Sequence, residues 1–476
     1  MSTTEQTSAS KRIAALLDDN SFVEIGGYVT ARNTDFNLQA KQTPADGVVT
    51  GYGTVEGNLV YIYSQDASVL GGTVGEMHAK KIVKLYDLAM KTGAPVMGLI
   101  DCAGMRLEEA TDALNGFGEI YKSQAMASGV IPQITAVFGS CGGGMAISAA
   151  MADFTFMEEK NAKLFVNSPN ALDGNYTSKC DTAAASFQSQ EAGNVDVMGS
   201  EEEILAKMRE LITILPSNNE DDMSYDECED DLNRICESIA DGMEDPAVTL
   251  GMISDNGFFF ETKSAYARDM VTGFIRLNGM TVGAVANRSV RFDEEGKEAE
   301  KFDGRMSAQG AAKAAAFVTF CDAFEIPVLT LTNCIGYQAD MCQEKEMARA
   351  VASLNYAFAD ATVPKVNVVV GSAFGSAYVT MNSKALGADV VYAWKDASIG
   401  MMDAALAAKI ICDDPEQVSA KAAEYQSLQS SALAAAKRGY VDDIIEPEET
   451  RKRVIAAFEM LFTKREERPA RKHGTI

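Results

Sequence analysis

The sequence predicts an α/β protein made of two tandem copies of one domain, and three observations support this prediction. The chain has 476 residues, 47% of them hydrophobic, which is more than one ordinary hydrophobic core accommodates. Short apolar runs alternate with helix-like segments in both halves, a pattern typical of layered α/β domains. Similar stretches also recur in the same order in the two halves.

The repeat keeps a constant register. "APVMGLIDCAGM" at 94–105 resembles "IPVLTLTNCIGY" at 326–337, and "IPQITAVFGSCGGG" at 131–144 resembles "VPKVNVVVGSAFGS" at 363–376. Three matched pairs are each 232 positions apart: Pro95 and Pro327, Pro132 and Pro364, and Gly139 and Gly371. Because this spacing is far longer than the roughly 20–50 residues of a solenoid unit, it indicates a duplicated domain.

Each copy reads as strand, glycine turn, helix, strand, glycine turn and helix. The runs "PVMGLIDC", "QITAVFG", "PVLTLTN" and "KVNVVVG" are short and apolar, as expected of parallel strands buried on both faces. Before them, "GEMHAKKIVKLYDLAMKTG" and "SAQGAAKAAAFVTFCDAF" predict helices that end at a turn. We expect domains at 1–245 and 246–476, with an acidic, solvated linker near 216–244.

Composition excludes several classes of function. The net charge of −26 argues against general binding of nucleic acids or anionic membranes, although a few local Lys or Arg can still bind a phosphorylated small ligand. Nine cysteines without a CxxC pair predict neither a disulfide framework nor a zinc ribbon. His78 and His473 are the two histidines, too few for a Ser-His-Asp triad or a multi-histidine metal site. We therefore expect no metal, and a structural or capping role for His78.

The N-terminal sequence and the hydropathy pattern favour a cytoplasmic protein. "MSTTEQTSASKRIAALLDD" is polar and lacks the apolar core of a signal peptide. No apolar run reaches the roughly 18 residues that a membrane-spanning helix needs. The scattered cysteines fit a reducing compartment.

A glycine turn follows a buried strand and opens a helix in each copy: Gly143 and Gly144 in the first, and Gly375, Ser376 and Ala377 in the second. Free backbone N–H groups and the positive end of the helix dipole converge at such a turn, so it can hold an anion. A phosphate cradle would be favoured by a following Lys and Ser/Thr, which are absent here. The alternatives are an oxyanion hole and a tight packing turn, and recurrence of the turn favours the oxyanion hole.

These residues resemble the carboxyltransferase subunits of biotin-dependent acyl-CoA carboxylases, of the propionyl-CoA and methylmalonyl-CoA group, and their decarboxylase relatives. The matching stretches cover most of the chain in order: "DGVVTGYGTVEGNLVYIYSQDASVLGGTVGEMHAKKI" at 46–82, "MASGVIPQITAVFGSCGGG" at 126–144, "FCDAFEIPV" at 320–328, "ATVPKVNVVVGSAFGSAY" at 361–378, "MNSKALGADVVYAW" at 381–394 and "TKREERPARKHG" at 463–474.

The resemblance implies two tandem crotonase-like domains, an acyl-CoA bound mainly by the N-terminal domain, and biotin bound by the C-terminal domain. In the family, the acyl-CoA domain of one subunit and the biotin domain of its neighbour form the site, often within a hexamer. Gly143 and Gly144 would then stabilise the enolate oxygen of the thioester. Gly375, Ser376 and Ala377 would bind biotin, with the N–H groups of Ser376 and Ala377 holding its ureido oxygen.

The resemblance also names residues around the substrate. "DCAGMR" at 101–106 corresponds to an Asp-Ser-Gly-Gly-Ala-Arg loop of the family, so Ala103, Gly104 and Arg106 are expected to line the acyl-CoA pocket, with a structural loop as the alternative. The remaining substrate-binding candidates are Gly142, Gly375, Tyr378 and Val379. Propionyl-type members typically have an Asp at the position of Val379, so the Val predicts altered acyl selectivity. Lys80, Lys81 and the basic tail are candidates for CoA phosphates, with solvated surface as the favoured alternative.

Two departures from the family lie on the presumed biotin side. The loop after "TNCIG" reads "YQADMCQEKEMARAVASLNYAF", without the usual Gly-Gly and Arg-His-Gly features, and "SAFGSAY" replaces a Lys-Ala-Tyr-Gly-Gly-Ala-Tyr pattern. The chain contains no Met-Lys-Met biotin-attachment signature, ATP-grasp pattern or P-loop. It is therefore expected to use a separate biotin carboxyl carrier protein and one further partner. That partner is either a biotin carboxylase or, if the chain is the alpha subunit of a sodium-pumping acyl-CoA decarboxylase, a membrane subunit that couples decarboxylation to sodium export and to which the chain attaches peripherally.

Carboxylation and decarboxylation would use the same site, so the direction stays open. Two rival hypotheses also stay open. A biotin-independent crotonase-like hydratase would need paired carboxylates near the first turn, for which Glu108 and Glu109 are the candidates. A non-enzymatic scaffold of the complex is the other.

Overall fold

The computed structural model describes residues 7–32, 36, 38, 41–221, 227–293, 295–469 and 473–474. The chain divides into two compact units, unit 1 at Met1–Asp222 and unit 2 at Met223–Ile476. The predicted domain boundary at 245/246 lies later than this division. Cys236 and Ile239, which lie between the two positions, are buried in the core of unit 2. The expectation of a solvated linker is therefore wrong for this part of the chain.

Unit 1 contains one mixed sheet with helices along it. Its strands are β1 (Val23–Glu24), β2 (Val48–Val55), β3 (Asn58–Gln65), β4 (Val96–Cys102), β5 (Gln133–Gly142), β6 (Phe154–Glu158), β7 (Lys163–Phe165) and β8 (Val197–Gly199). Its helices are α1 (Ser8–Leu16), α2 (Glu76–Thr92), α3 (Ala110–Ala127), α4 (Gly144–Ala150), α5 (Asn175–Ser178), α6 (Ala185–Gln190) and α7 (Glu201–Ile214).

Unit 2 repeats this architecture. Its strands are β9 (Phe259–Thr262), β10 (Met270–Leu277), β11 (Met280–Asn287), β12 (Val290–Phe292), β13 (Glu298–Lys301), β14 (Val328–Cys334), β15 (Lys365–Phe374), β16 (Val390–Trp394), β17 (Ser398–Gly400) and β18 (Asp443–Ile445). Its helices are α8 (Pro246–Ile253), α9 (Ala308–Ala323), α10 (Met341–Asp360), α11 (Gly375–Thr380), α12 (Ala404–Ile411), α13 (Val418–Tyr425), α14 (Ala432–Ala436) and α15 (Thr450–Leu461).

The two main sheets have the same strand order. In unit 1 the order is β1-β2-β3-β4-β5-β6-β8, with β7 paired to β5, and in unit 2 it is β9-β10-β11-β14-β15-β16-β18, with β17 paired to β15. β2 and β3 pair antiparallel, as do β10 and β11, and the strands that follow them pair parallel. The predicted α/β class with two similar, mostly parallel domains is therefore confirmed.

The central parallel strands are buried on both faces, which explains their continuous apolar sequences. In β4 and β14, all residues except Asp101 and Asn333 are fully buried. Apolar clusters on each sheet include residues of α2 and α3 in unit 1 and of α8 and α15 in unit 2. Helix ends follow local chemistry: α2 ends at Gly93, which is left-handed with φ +63°, and the Ser307 hydroxyl accepts from Gly310 N at the start of α9.

Candidate active site

The first glycine turn connects β5 to α4 at the carboxyl edge of the sheet, where open α/β sheets usually bind ligands. Gly143 has φ +59° and ψ −122°, a conformation that residues with a Cβ avoid. Gly142 and Gly144 are constrained by packing: a Cβ at 142 would lie 3.1 Å from the Phe165 ring, and one at 144 would lie 2.8 Å from the Tyr121 hydroxyl. The tight-packing interpretation of the turn therefore applies to two of its three glycines.

The backbone donors of this turn differ from the predicted pair. Gly143 N donates to Phe165 O at 2.9 Å, so this N–H is already used within the protein. The next N–H groups, of Gly144 and Met145, have no acceptor among the described residues, since Ala146 N is the next group with a bond, to Gly143 O. The free pair is thus Gly144 and Met145, one residue later than Gly143 and Gly144.

The loop after β4 lies against this turn. Gly104 has φ +115°, and a Cβ there would lie 3.4 Å from Gly142 O. Val74 N donates to Gly104 O and Arg106 N to Val74 O, both at 2.9 Å, and Ala103 N donates to Gly71 O at 3.0 Å. The structure therefore brings Ala103, Gly104 and Gly142 together, as the sequence analysis expected.

Arg106 differs from that expectation because its guanidinium is fully buried. Nη1 donates to Asp46 Oδ1 at 2.6 Å and to Glu109 Oε1 at 2.7 Å, and Nη2 donates to Thr73 O at 2.8 Å. The side chain has no exposed surface. These contacts give Arg106 a positioning role beneath the loop, and they leave its guanidinium no exposed face for a ligand.

His78 belongs to the same buried cluster, which confirms its structural role. Its backbone N donates to Asp46 Oδ2 at 2.8 Å, and its Nδ1 donates to Asp46 O at 2.9 Å because a carbonyl only accepts. Nε2 then accepts from Gln65 Nε2 at 3.1 Å. Burial lowers the pKa of His78 to about 3, and the charge of Arg106 acts in the same direction. The imidazole is therefore neutral at physiological pH.

The two adjacent lysines have different environments. Lys80 is exposed and pairs with Glu76 at 2.6 Å. Lys81 is buried, and its Nζ donates to the carbonyls of Ala45 and Val48. Burial lowers the pKa of Lys81 to about 8. The expectation of solvated surface holds for Lys80 and is wrong for Lys81.

The carboxylates considered for a hydratase are already engaged. Glu109 accepts from Arg106 through Oε1 and from Glu76 N through Oε2 at 2.6 Å, and it is buried. Glu108 pairs with Lys41 at 3.1 Å on the surface. Glu108 and Glu109 are therefore not placed as a matched acid and base.

The second turn connects β15 to α11 and lines a cavity of about 460 Å³. Gly375 has φ +64°, and Ser376 and Ala377 lie in the first turn of the helix. The N–H groups of Ser376 and Ala377 have no acceptor among the described residues. They lie 232 positions after Gly144 and Met145, so the two turns present the same pair of donors.

The cavity of unit 2 is formed by three loops, the end of β15, the turn and the start of α12. Its lining residues are Arg305, Ile335, Gly336, Tyr337, Ser372, Phe374, Gly375, Ser376, Ala377, Met401, Met402, Asp403 and Leu406. Tyr378 packs against an apolar cluster of unit 2 and does not line this cavity. Val379 is 39% exposed, and Ile147, 232 positions earlier, is 43% exposed.

The sequence analysis missed several residues of the site. Met145 could have been found by applying the repeat spacing to Ala377. No sequence pattern separates Phe165, Tyr121 and Arg305 from other residues of the same types.

Within the described ranges, no helix is long and apolar enough to cross a membrane, and no group of His, Cys, Asp and Glu could hold a metal ion.

Comparisons with known proteins match the whole chain. A model of the carboxyl transferase domain matches residues 4–476. The propionyl-CoA carboxylase beta chain of Roseobacter denitrificans is 40% identical, covering 98% of this chain and 93% of its own. The methylmalonyl-CoA decarboxylase subunit alpha of Veillonella parvula is 39% identical, covering 98% and 92%.

Two solved structures show the fold. Transcarboxylase 12S, a hexamer solved with hydrolysed methylmalonyl-coenzyme A bound, superposes with a TM-score of 0.91 at 36% identity, covering 98% of this chain and 92% of its own. A single-chain, multi-domain long-chain acyl-CoA carboxylase superposes with a TM-score of 0.76 at 22% identity, covering 94% and 45%.

Proposed function

We propose that the two glycine turns of this chain, which belongs to the carboxyl transferase family, bind the two different reactants of one transfer reaction. As an acyl-CoA carboxyltransferase, it acts on coenzyme A esters. The proposal is that it moves a carboxyl group between biotin on a separate carrier protein and a short-chain acyl-CoA. A propionyl/methylmalonyl pair is the first candidate, with acetyl/malonyl and glutaconyl esters as the others.

In unit 1, the N–H groups of Gly144 and Met145 are proposed to hold the thioester oxygen. Removing a proton or a carboxyl group next to a thioester places negative charge on that oxygen. Two preorganised backbone donors stabilise this charge without reorganisation, and one such donor is typically worth about 3–4 kcal/mol. Ala103, Gly104 and Gly142 would form the adjacent wall, and Arg106 would hold the loop in place through Asp46 and Glu109.

In unit 2, the N–H groups of Ser376 and Ala377 are proposed to hold the ureido oxygen of biotin. The residues fit such a ring because the cavity of about 460 Å³ combines these two donors with a lining that has more apolar than polar surface. When bound, biotin supplies the carboxyl group to be transferred and a basic ring nitrogen. The chain's own part is to bind and orient the reactants and to stabilise charge on oxygen.

The single observation that carries the proposal is the matched pair of backbone donors that have no acceptor among the described residues. His78 is buried and neutral, and Glu109 is bound by Arg106 and Glu76 N. A hydratase needs a positioned acid and base, whereas carboxyl transfer with biotin needs none from the protein side chains. These contacts therefore support transfer over hydration.

A decarboxylase role is the second candidate, because a methylmalonyl-CoA decarboxylase subunit alpha is 39% identical over 98% of this chain. The same two turns would serve both directions. The partner would then be a membrane decarboxylase subunit instead of a biotin carboxylase, and the chain would act at the cytoplasmic face of the membrane. All nine cysteines are unpaired, which supports a reducing, cytoplasmic setting.

We also propose a dimer-based homo-oligomer, with a hexamer as the expected form. Transcarboxylase 12S, with a TM-score of 0.91, is a hexamer. In the family, the two turns that share one reaction come from neighbouring subunits. Native mass spectrometry of the purified chain should give a multiple of the monomer mass, and a stable monomer with full activity would contradict the proposal.

Biotin-dependent turnover of coenzyme A esters tests the function. The purified chain is incubated with methylmalonyl-, malonyl- or glutaconyl-CoA, with and without free biotin or a biotinylated carrier, and loss of the ester carboxyl group is measured. We expect one ester to turn over only when biotin is present. No turnover of any ester, despite measurable binding of one, would favour the hydratase or scaffold hypothesis.

A further inference from the structure

One of the residues that line the cavity of unit 2 is positively charged, whereas the residue at the corresponding position of unit 1 is neutral. Arg305 lines the cavity, and Thr73 stands 232 positions earlier. The local register is the same in both units, since Met306 N donates to Gly336 O as Val74 N donates to Gly104 O. Thr73 is bound locally, its hydroxyl donating to Leu70 O at 2.7 Å. The positive charge is therefore a feature of the second copy.

The loop that carries Arg305 is fixed to the cavity wall. Asp303 binds it twice, through Oδ1 to the backbone N of Arg305 and through Oδ2 to its Nη1, both at 3.0 Å. Ile335 N donates to Gly304 O at 2.9 Å. Asp303 thus sets where the arginine side chain starts and which way its guanidinium lies.

The guanidinium has donors to spare. Its side chain is 44% exposed, and its contacts with other described residues use Nη1 alone. A guanidinium offers five N–H groups, so Nε and Nη2 can reach a ligand.

The other charged residue of the lining is engaged elsewhere. Asp403 accepts from Ala405 N at 3.0 Å and Leu406 N at 3.1 Å, both through Oδ1, at the start of α12. There its charge is balanced by the positive end of the helix. The remaining lining residues are uncharged. Arg305 is thus the cation available to a ligand among the residues that line the cavity.

We propose that Arg305 is a specificity-determining residue that binds a carboxylate carried beside the cyclic urea, with Asp303 as its positioning residue. This inference rests on the proposed assignment of the cavity to biotin. A guanidinium binds a carboxylate through paired N–H···O bonds, which an ammonium group cannot reproduce. The cavity would therefore prefer a ring that carries the carboxyl group over the bare ring.

Binding of two stable cyclic ureas tests this preference without any turnover. The probes are 2-imidazolidinone, which is neutral, and 2-oxoimidazolidine-4-carboxylate, which carries a carboxylate on the ring, each titrated by ligand-observed NMR against the full chain. We expect the wild type to bind the carboxylate at least about tenfold more tightly. Arg305→Met should lose that preference while keeping the affinity for the neutral probe, and Arg305→Lys should keep part of it. Asp303→Asn should weaken the preference without abolishing it.

Arg291→Met is the matched control, because Arg291 is an exposed arginine of unit 2 outside the cavity lining. It should bind both probes like the wild type. Equal affinity of the wild type for the two probes, or an unchanged preference in Arg305→Met, would overturn the inference about Arg305 and leave the assignment of the cavity to biotin standing. A wild type that binds neither probe would overturn both the inference and the assignment to biotin. Loss of the preference in Arg305→Met together with a wild type inactive in the turnover assay would support anion binding and reject the proposed reaction.

Discussion

Gly143 is constrained by backbone conformation and not by its neighbours. It has φ +59° and ψ −122°, while no described residue other than its two chain neighbours comes within 4 Å of the place a Cβ would occupy. We expect Gly143→Ala to lower the free energy of unfolding by about 1–3 kcal/mol, because an L-residue is strained in this conformation. The variant should also displace the Gly144 N–H and reduce acyl-CoA turnover by at least about tenfold. Chemical denaturation and the turnover assay measure the two effects.

Gly118 provides the control for this substitution. It lies exposed on α3, has no positive φ, and has nothing within 4 Å of a built Cβ. Gly118→Ala should leave turnover unchanged and stabilise the protein by up to about 1 kcal/mol. If the two variants had the same stability and activity, conformation at 143 would not be what the turn requires.

His78 gives unit 1 a pH dependence with a definite sign. Its pKa is lowered to about 3 by burial, against 6.5 for an ordinary histidine. Below about pH 6.5 the unfolded chain binds a proton that the folded chain does not. As the pH falls below about 6.5, the free energy of unfolding therefore decreases, by up to about 1.4 kcal/mol per pH unit, until the pH reaches the folded pKa.

His78→Gln should remove this contribution. We expect the stability difference between wild type and variant to change between about pH 6 and pH 4, with the wild type losing stability more steeply. Urea denaturation at several pH values measures it, and the carboxylates common to both proteins cancel in the difference. Parallel stability curves would show that His78 does not titrate on unfolding.

At the scale of elements, strand interiors followed from the sequence and some strand ends did not. The run "QITAVFG" predicted a strand that stops at Gly139, whereas β5 continues to Gly142. The last residues of β5, Ser140, Cys141 and Gly142, pair with β7. Because β7 has only three residues, its sequence is too short to show a strand periodicity, and the extension of β5 could not be predicted. The parallel order and the matched turns followed from the repeat, because two copies constrain each other.

The segment after the first unit shows how composition can mislead. Its many acidic residues suggested a solvated linker, yet Cys236 and Ile239 are buried in the core of unit 2. We expect Ile239→Ala to lower the free energy of unfolding by about 2–5 kcal/mol, since it removes a buried side chain. Ile235 is 49% exposed, so Ile235→Ala should cost less than about 0.5 kcal/mol. Equal effects of the two substitutions in urea denaturation would contradict the assignment of this segment to the core.

For the whole molecule, the sequence predicted the family and the place of both turns but not the details of either. The register of 232 residues located Gly143 and Ser376, while the bond from Gly143 N to Phe165 O, which moves the free donors to Gly144 and Met145, depends on β7. Arg106 was expected at the substrate, and the buried carboxylates of Asp46 and Glu109 explain why it lies beneath the loop. Such partners are distant in sequence and become visible only in the folded chain.

Biotin-dependent acyl-CoA turnover by Ser376→Pro and Ser376→Ala tests directly whether the backbone donors of the second turn serve carboxyl transfer. Proline removes the backbone N–H and is tolerated in the first turn of a helix, whereas alanine removes the exposed hydroxyl and keeps the N–H. We predict a loss of about 100-fold or more for Ser376→Pro and near wild-type turnover for Ser376→Ala, with matching unfolding curves. Equal turnover by the two folded variants would contradict the claim that backbone donors of the second turn serve carboxyl transfer.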